Sequence, residues 1–358
     1  MRQKVRVLQI LHGLAPAGTE AFVLNTVEHL DKDKLEVSYL IAVNDRQYHQ
    51  DHVESLGHKV YMTCDLNGIV KLFKHFYLLY KTLKKFGPFD VCHSHMDFLN
   101  GLNLFVAYLA KVKIRVSHSH NSAKIEDNLL VKYYRKTMRL FINTFANVKL
   151  GCSHDANEFL YGIKACEKSQ VIYNGIDLNN FKVLERKPNL NFITVGRMVR
   201  QKNCLFLVNV IAELKKIYPL VKLSWVGDGS DRISIEKKIR ELGLCKNIEL
   251  LGVRKDIPQL LVTPNYFLMP SLYEGLPFAL VEAQAAGLPC FISDGVPKQA
   301  NIGLCMFIPL ALSAEEWAKK IANYIEGSTK RMKLDKEALG KFDIKTSSKV
   351  VEQIYLQN

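Results

Sequence analysis

The sequence predicts an α/β protein built from two doubly wound domains in tandem, and three observations carry that expectation. Short, β-branched apolar runs alternate with segments whose apolar residues recur at helical spacing, and the alternation occurs twice. A turn-forming cluster, Asn174-Gly175-Ile176-Asp177, and a polar stretch through Lys187-Pro188-Asn189 separate the two series. The length, 358 residues, suits two domains of about 150 residues each. Repeated strand–helix alternation implies parallel sheets with helices on both faces. Ligands of such sheets bind beyond the carboxyl ends of the strands, so two domains facing one another would enclose a central cleft.

The elements follow in order. The first series has strands at 5–11, 35–43, 58–61, 89–93, 114–119, 147–151 and 169–173, each short and bounded by Gly, Pro, Asp or polar residues. Its helices, at 18–30, 69–85, 98–110, 127–145 and 153–161, carry apolar faces of helical period. The second series has strands at 191–195, 221–226, 247–251, 266–269 and 289–293. Helices at 201–217, 231–242, 256–261, 278–287 and 313–326 accompany them. The expected domains are therefore 1–174 and 175–342, with a last helical segment at 343–358.

Composition excludes several classes. With 48% apolar and 23% charged residues, the chain is neither disordered nor fibrous. Eight cysteines, without one C-x-x-C pair, match neither a disulfide scaffold nor a zinc ribbon and point to a reducing, cytoplasmic setting. The apolar run behind Arg2, Lys4 and Arg6 is too short for a secretory signal. The longest uncharged stretch, 257–273, holds three prolines and cannot be one spanning helix.

The net charge of +14 calls for an anionic partner. It is concentrated in two amphipathic segments. Helix 69–85 interleaves Lys71, Lys74, Lys81, Lys84 and Lys85 with Phe73, Phe76, Tyr77 and Tyr80. Segment 132–141 sets Lys132, Arg135, Lys136 and Arg139 beside Tyr133, Tyr134 and Phe141. Such helices lie on anionic lipid headgroups or form an ordinary solvated face. No nucleic-acid recognition module accompanies the charge, so nucleic acid is not the expected partner.

Three loops carry candidate chemistry. His12-Gly13 through Gly18-Thr19-Glu20 links the first strand to a helix, and its glycines would let backbone N–H groups approach an anion. It is neither a dinucleotide fingerprint nor a P-loop. Gly196-Arg197-Met198-Val199-Arg200-Gln201-Lys202 follows the strand at 191–195 and offers a planar bidentate cation and a point charge, a pair suited to a diphosphate. Positive charge at a helix start opposes the helix dipole unless an anion is present. In Glu274-Gly275-Leu276-Pro277…Glu282 two acids stand eight apart across a loop and the following helix, and a carboxylate can accept from the two hydroxyls of a diol. Glu282 lies among apolar residues, where a buried acid needs a partner.

Together with Val226-Gly227-Asp228-Gly229 and Asn174-Gly175-Ile176-Asp177, these loops resemble the retaining family 4 glycosyltransferases of the GT-B fold, whose two Rossmann-like domains face a central cleft. The opening Leu8-Gln9-Ile10-Leu11-His12-Gly13 and the strand Arg115-Val116-Ser117-His118-Ser119-His120-Asn121 are most similar to the bacterial capsular and exopolysaccharide enzymes. The resemblance implies transfer of a sugar from a nucleotide sugar, by default a UDP-sugar, to a lipid-linked saccharide at the inner membrane face. It implies a peripheral protein that needs no metal or other cofactor, and a C-terminal helix within 343–358 that packs back on the first domain. Arg197 and Lys202 would hold the diphosphate, Glu282 the ribose diol, Glu274 the transferred sugar and Val253 the nucleobase. The N–H groups of Gly275 and Leu276 would line the same pocket, the backbone at Gly18 would face the diphosphate, and His120 would touch the sugar. Retention would proceed by front-face attack, with the departing phosphate helping to deprotonate the acceptor.

His93-Ser94-His95 and His118-Ser119-His120 place imidazoles two apart on strand ends, so four rings converge if the strands are neighbours. Zinc would take such ligands, but no Cys or acid completes the set and no metal is expected. His93, His95 and His118 would then support His120 or contact the acceptor. A nucleotide-sugar 2-epimerase of the same fold and a nucleotide-sugar-binding subunit without catalysis are the competing readings.

Overall fold

The computed structural model describes residues 4–121, 129–183, 189–328 and 331–357. The chain divides into two compact units, Met1–Gly175 with Ile344–Asn358, and Ile176–Asp343. The polar stretch through Lys187-Pro188 lies outside the described residues.

In the first unit the chain runs β1 (Val5–Leu11), α1 (Gly18–Glu28), β2 (Leu35–Ile41), α2 (Gln50–Ser55), β3 (Lys59–Met62), α3 (Ile69–Phe86) and β4 (Val91–Ser94). It continues through α4 (Asn100–Leu109), β5 (Ile114–Ser119), α5 (Leu129–Phe145), β6 (Val148–Gly151), α6 (His154–Tyr161), α7 (Ile163–Cys166) and β7 (Gln170–Val171). Its seven strands pair in parallel in the order β3-β2-β1-β4-β5-β6-β7. Because β1 is central and covered on both faces, Val7, Leu8, Ile10 and Leu11 are fully buried, and the strand reads as continuous apolar sequence rather than as alternation.

The second unit runs β8 (Asn191–Val195), α8 (Cys204–Ile217), β9 (Lys222–Val226), α9 (Arg232–Glu241), β10 (Ile248–Gly252), α10 (Ile257–Leu260) and β11 (Tyr266–Met269). Then come α11 (Phe278–Ala285), β12 (Cys290–Ser293), β13 (Cys305–Ile308), α12 (Ala314–Ile325) and α13 (Lys336–Gly340). Six parallel strands lie in the order β10-β9-β8-β11-β12-β13. Helix α12 starts on a capping box between Ser313 and Glu316 and buries Trp317, whose indole N–H donates to Pro309 O at 3.0 Å.

The last helix, α14 (Ile344–Leu356), belongs to the first unit and lies beside α1 and β1. Val351, Ile354 and Tyr355 are buried there, and each apolar side chain contributes about 1.5–3 kcal/mol by leaving water. Ile176 N–H donates to Phe342 O at 2.8 Å where the chain enters and leaves the second unit. Gly175 has no room for a Cβ, since one would fall 2.6 Å from the Cα of Ile344. The Asn-Gly-Ile-Asp cluster is thus a crossing point as much as a turn.

Several elements depart from the sequence expectation. The strand at 305–308 and the helices at 50–55 and 336–340 had no periodic signal, being too short to show one. The strand expected at 169–173 shrinks to an edge pair, Gln170–Val171, and the helix expected from 127 is described from Leu129. In place of a helix start at 201, a single 3-10 turn at Arg200–Lys202 ends on Asn203 in left-handed conformation before α8 begins at Cys204. No described helix is long and apolar enough to cross a membrane.

Candidate active site

Both sheets reverse strand order beside their first strand, at β1/β4 and at β8/β11. Adjacent loops diverge there and open a crevice beyond the strand ends. In the second unit the loop after β8 carries Arg197 and Lys202, and the loop after β11 carries Glu274 to Pro277.

Lys202 Nζ lies 2.6 Å from Glu274 Oε1, and the Glu274 side chain is only 6% exposed. Gln201 Nε2 donates to Tyr273 O at 3.0 Å, and Leu272 N–H donates back to Gln201 O at 2.8 Å. The two loops are therefore stitched together. This revises the electrostatic expectation for Lys202, because the anion at this helix start is an internal carboxylate. Arg197 is different. It is exposed and has no acid partner among the described residues, so its guanidinium is available to a ligand. Between the two cations and Ser271 lies a cavity of about 10 Å³, the size of one water.

The Val226-Gly227-Asp228-Gly229 segment supports this arrangement from below. A Cβ on Gly227 would strike Gly196 O, and one on Gly229 would strike Met198 O. Without side chains the loop closes to main-chain distance: Met198 N–H donates to Asp228 O and Asp231 N–H to Met198 O, both at 2.9 Å. The residues flanking Arg197 are thereby fixed by backbone bonds.

Helix α11 starts after Pro277 with no side-chain cap. Leu276 is buried, Gly275 half-buried, and Glu282 stands one turn inside the helix. Glu282 keeps a partly exposed face, but enough protein surrounds its carboxyl that burial raises it to about 7. No protein group among the described residues bonds to it, so the partner expected for this acid is not found there. Val253, just after β10, is 46% exposed, and its neighbour Arg254 is held by Asp256 at 2.6 Å.

In the first unit Gly18 heads α1, exposed and likewise without a side-chain cap before it. The paired β4 and β5 bring the four imidazoles together, all of them 8% exposed or less. His93 Nε2 is 3.2 Å from His118 Nδ1, and His95 Nδ1 is 2.8 Å from His120 Nε2. Burial pushes all four well below the usual histidine range, His120 to about 3. His93, His95 and His118 each offer a ring nitrogen within 4.8 Å of the others. As zinc ligands they fit poorly, since most of those nitrogens are already engaged with one another, with Gln9 or with Tyr355.

Sequence reasoning passed over Gln9 and Tyr355. Gln9 Nε2 donates to Tyr355 Oη at 2.8 Å and Gln9 Oε1 meets His95 Nε2 at 2.9 Å. A signal existed for the first: a glutamine inside an otherwise apolar central strand must find partners. None existed for Tyr355.

The same two-sheet architecture occurs in HepE of Anabaena, solved with UDP and glucose, which covers 98% of each chain at TM-score 0.81 and 18% identity. The fold is GT-B, that of a large class of glycosyltransferases. Residues 16–180 match the family model "Glycosyltransferase Family 4" and residues 176–340 match "Glycosyl transferases group 1". EpsF of Bacillus subtilis, named as a glycosyltransferase, is 32% identical over 93% of this chain and 91% of its own. The capsular polysaccharide biosynthesis glycosyltransferase CapH of Staphylococcus aureus is 29% identical over 98% and 99%. An Escherichia coli enzyme named UDP-Gal:alpha-D-GlcNAc-diphosphoundecaprenol alpha-1,3-galactosyltransferase is 29% identical over 81% and 78%. The chain belongs to this glycosyltransferase family.

Proposed function

We propose that the protein is a retaining hexosyltransferase that moves a sugar from a UDP-sugar to a lipid-linked saccharide in capsular or exopolysaccharide synthesis. The observation that carries the reading is the exposed Arg197, without an acid partner among the described residues, beside Lys202 at the switch point of the second sheet. Two fixed cations there bind a diphosphate and stabilise the charge that grows on it as the glycosidic bond breaks, the part a metal plays in other sugar transfers. Lys202 also fixes Glu274, which takes hydroxyls of the transferred sugar, with the N–H groups of Gly275 and Leu276 on the same pocket. Glu282 accepts from the ribose diol and Val253 packs on the base. In the first unit the backbone at Gly18 contacts the diphosphate and His120 contacts the sugar. The departing phosphate takes the acceptor's proton, so no enzyme nucleophile is needed.

The choice of a UDP donor and an undecaprenol-diphosphate acceptor draws on the name of the E. coli relative, and the capsular role on that of CapH. A lipid-borne acceptor also fits the basic helices. Along α3, Ile69, Val70, Phe73 and Tyr77 are exposed beside Lys74 and Lys81; along α5, Leu129, Leu130 and Tyr133 are exposed beside Lys132 and Lys136. Apolar side chains among lysines suit an anionic headgroup region at the cytoplasmic face. Not every cation points outward: Arg135 and Arg139 pack over Phe98, and Lys71 pairs with Asp65.

The test is transfer from a panel of UDP-, GDP- and ADP-sugars to an undecaprenyl-diphosphate saccharide with EDTA present, followed by NMR of the new linkage. Transfer from one UDP-sugar with the anomeric configuration kept supports the reading. An inverted product refutes retention, and activity abolished by EDTA refutes the metal-free site.

A further inference from the structure

Six buried side chains of the first unit form one hydrogen-bonded chain that ends at His120. Its links are His118–His93–Tyr355–Gln9–His95–His120, with contacts of 3.2, 2.6, 2.8, 2.9 and 2.8 Å. Each link needs one proton and one lone pair, and a neutral imidazole carries one of each. The Gln9 amide sets the direction. Its nitrogen only donates, so Tyr355 Oη accepts there and sends its own proton to His93 Nδ1. His93 is then protonated on Nε2 and donates to His118 Nδ1, which leaves His118 protonated on Nε2 as well. On the other arm the Gln9 oxygen only accepts, so His95 donates from Nε2. His95 Nδ1 is left bare and accepts from His120 Nε2–H. Turning the one amide over would move all four ring protons to Nδ1.

We infer that Gln9 and Tyr355 are positioning residues that hold His120 as its Nε2–H tautomer, so that Nδ1 is presented as a hydrogen-bond acceptor to a hydroxyl of the transferred sugar. Among the described residues no group bonds to His120 Nδ1, and the nitrogen is not among the sealed, unpartnered atoms. His118 Nε2, at the other end of the chain, is sealed and unpartnered. The chain thus has one closed end, against the Phe22 ring at 4.7 Å between centroids, and its other end at His120, the least buried of the six side chains at 8% exposure. Tyr355 reaches Gln9 across 346 residues, which gives the returning helix α14 a part in the site as well as in packing. The inference rests on the reading that His120 touches the sugar.

The experiment is long-range nitrogen–proton NMR of histidine-labelled full-length protein, with each ring assigned by single substitution, beside steady-state kinetics. The wild type is expected to show Nε2–H at His93, His95, His118 and His120. Gln9→Leu, and more weakly Tyr355→Phe, should give His120 a mixture of tautomers and lower kcat about tenfold or more, with KM for the nucleotide sugar little changed. A purely structural role would lower Tm without that tautomer change. Nδ1–H at His120 in the wild type, or variants with unchanged tautomer and kcat, would overturn the inference. Full activity in His120→Ala would instead remove the sugar contact beneath it, and the wild-type spectrum alone still decides the tautomer even where a variant fails to fold.

Discussion

The two units concentrate polar chemistry in opposite ways. In the second, ionic groups sit on loops past the ends of β8 and β11, where Lys202 pairs with Glu274 and Arg197 and Arg200 are exposed. In the first, they sit on the strands themselves, are neutral, and are sealed except at His120. Exposed charge on short loops attracts and clamps an anion whose charge grows during reaction. A buried neutral network offers no such pull, but its chain of hydrogen bonds from ring to ring leaves each ring one orientation and one tautomer. On the roles proposed for them, the second unit would supply binding energy and the first orientation.

The sharpest way to break that division is at the Lys202–Glu274 pair. Lys202→Ala should abolish transfer and destabilise the protein by up to about 3 kcal/mol, because a buried carboxylate loses the cation that pairs with it. Adding Glu274→Gln should recover most of that stability in denaturant titrations but none of the activity. Recovery of both would reduce the pair to a structural role. Next in size is Arg197→Ala, expected to lower kcat/KM for the donor about tenfold to a hundredfold with Tm unchanged, since among the described residues the guanidinium has no acid partner to lose.

Glu282 sharpens the comparison through pH. Its carboxyl in the fold lies near 7, above its unfolded value, so the folded state binds the extra proton between about pH 4.5 and 7. Its contribution to stability is full below that window and is lost as pH rises through 7. If Glu282 holds the ribose as proposed, donor affinity should move the other way, because only the carboxylate would accept from both hydroxyls. In Glu282→Gln both slopes should vanish, which thermal melts and titrations across this range would reveal. The smallest expected effect concerns the membrane face. Phe73→Ser with Tyr77→Ser on α3 should weaken sedimentation with phosphatidylglycerol vesicles several-fold, leaving donor binding untouched.

The fold was legible because parallel α/β sheets write themselves as alternating runs, and Val7 to Leu11 or Phe192 to Val195 are such runs. The strand at 305–308 escaped because four apolar residues have no period. The second unit's loops were legible for a related reason: Arg197 and Lys202 share one loop, and Glu274 and Glu282 one loop and helix. What the sequence hid was the direct bond between those two segments, seventy-two positions apart, which turns two separate charges into a pair. The histidine chain was half visible, as two His-Ser-His repeats on expected strands. Its controlling groups were not, because Gln9 and Tyr355 meet only after α14 returns to β1.

A diphosphate site formed by Arg197 and Lys202 must bind UDP without metal. Calorimetric titration of UDP in EDTA into the wild type and Arg197→Ala, both shown folded by equal Tm, measures this. Metal-free binding by the wild type and a loss of about tenfold to a hundredfold in the variant is the expected result. Equal affinity in the two proteins, or wild-type binding that appears only when a divalent cation is restored, would contradict it.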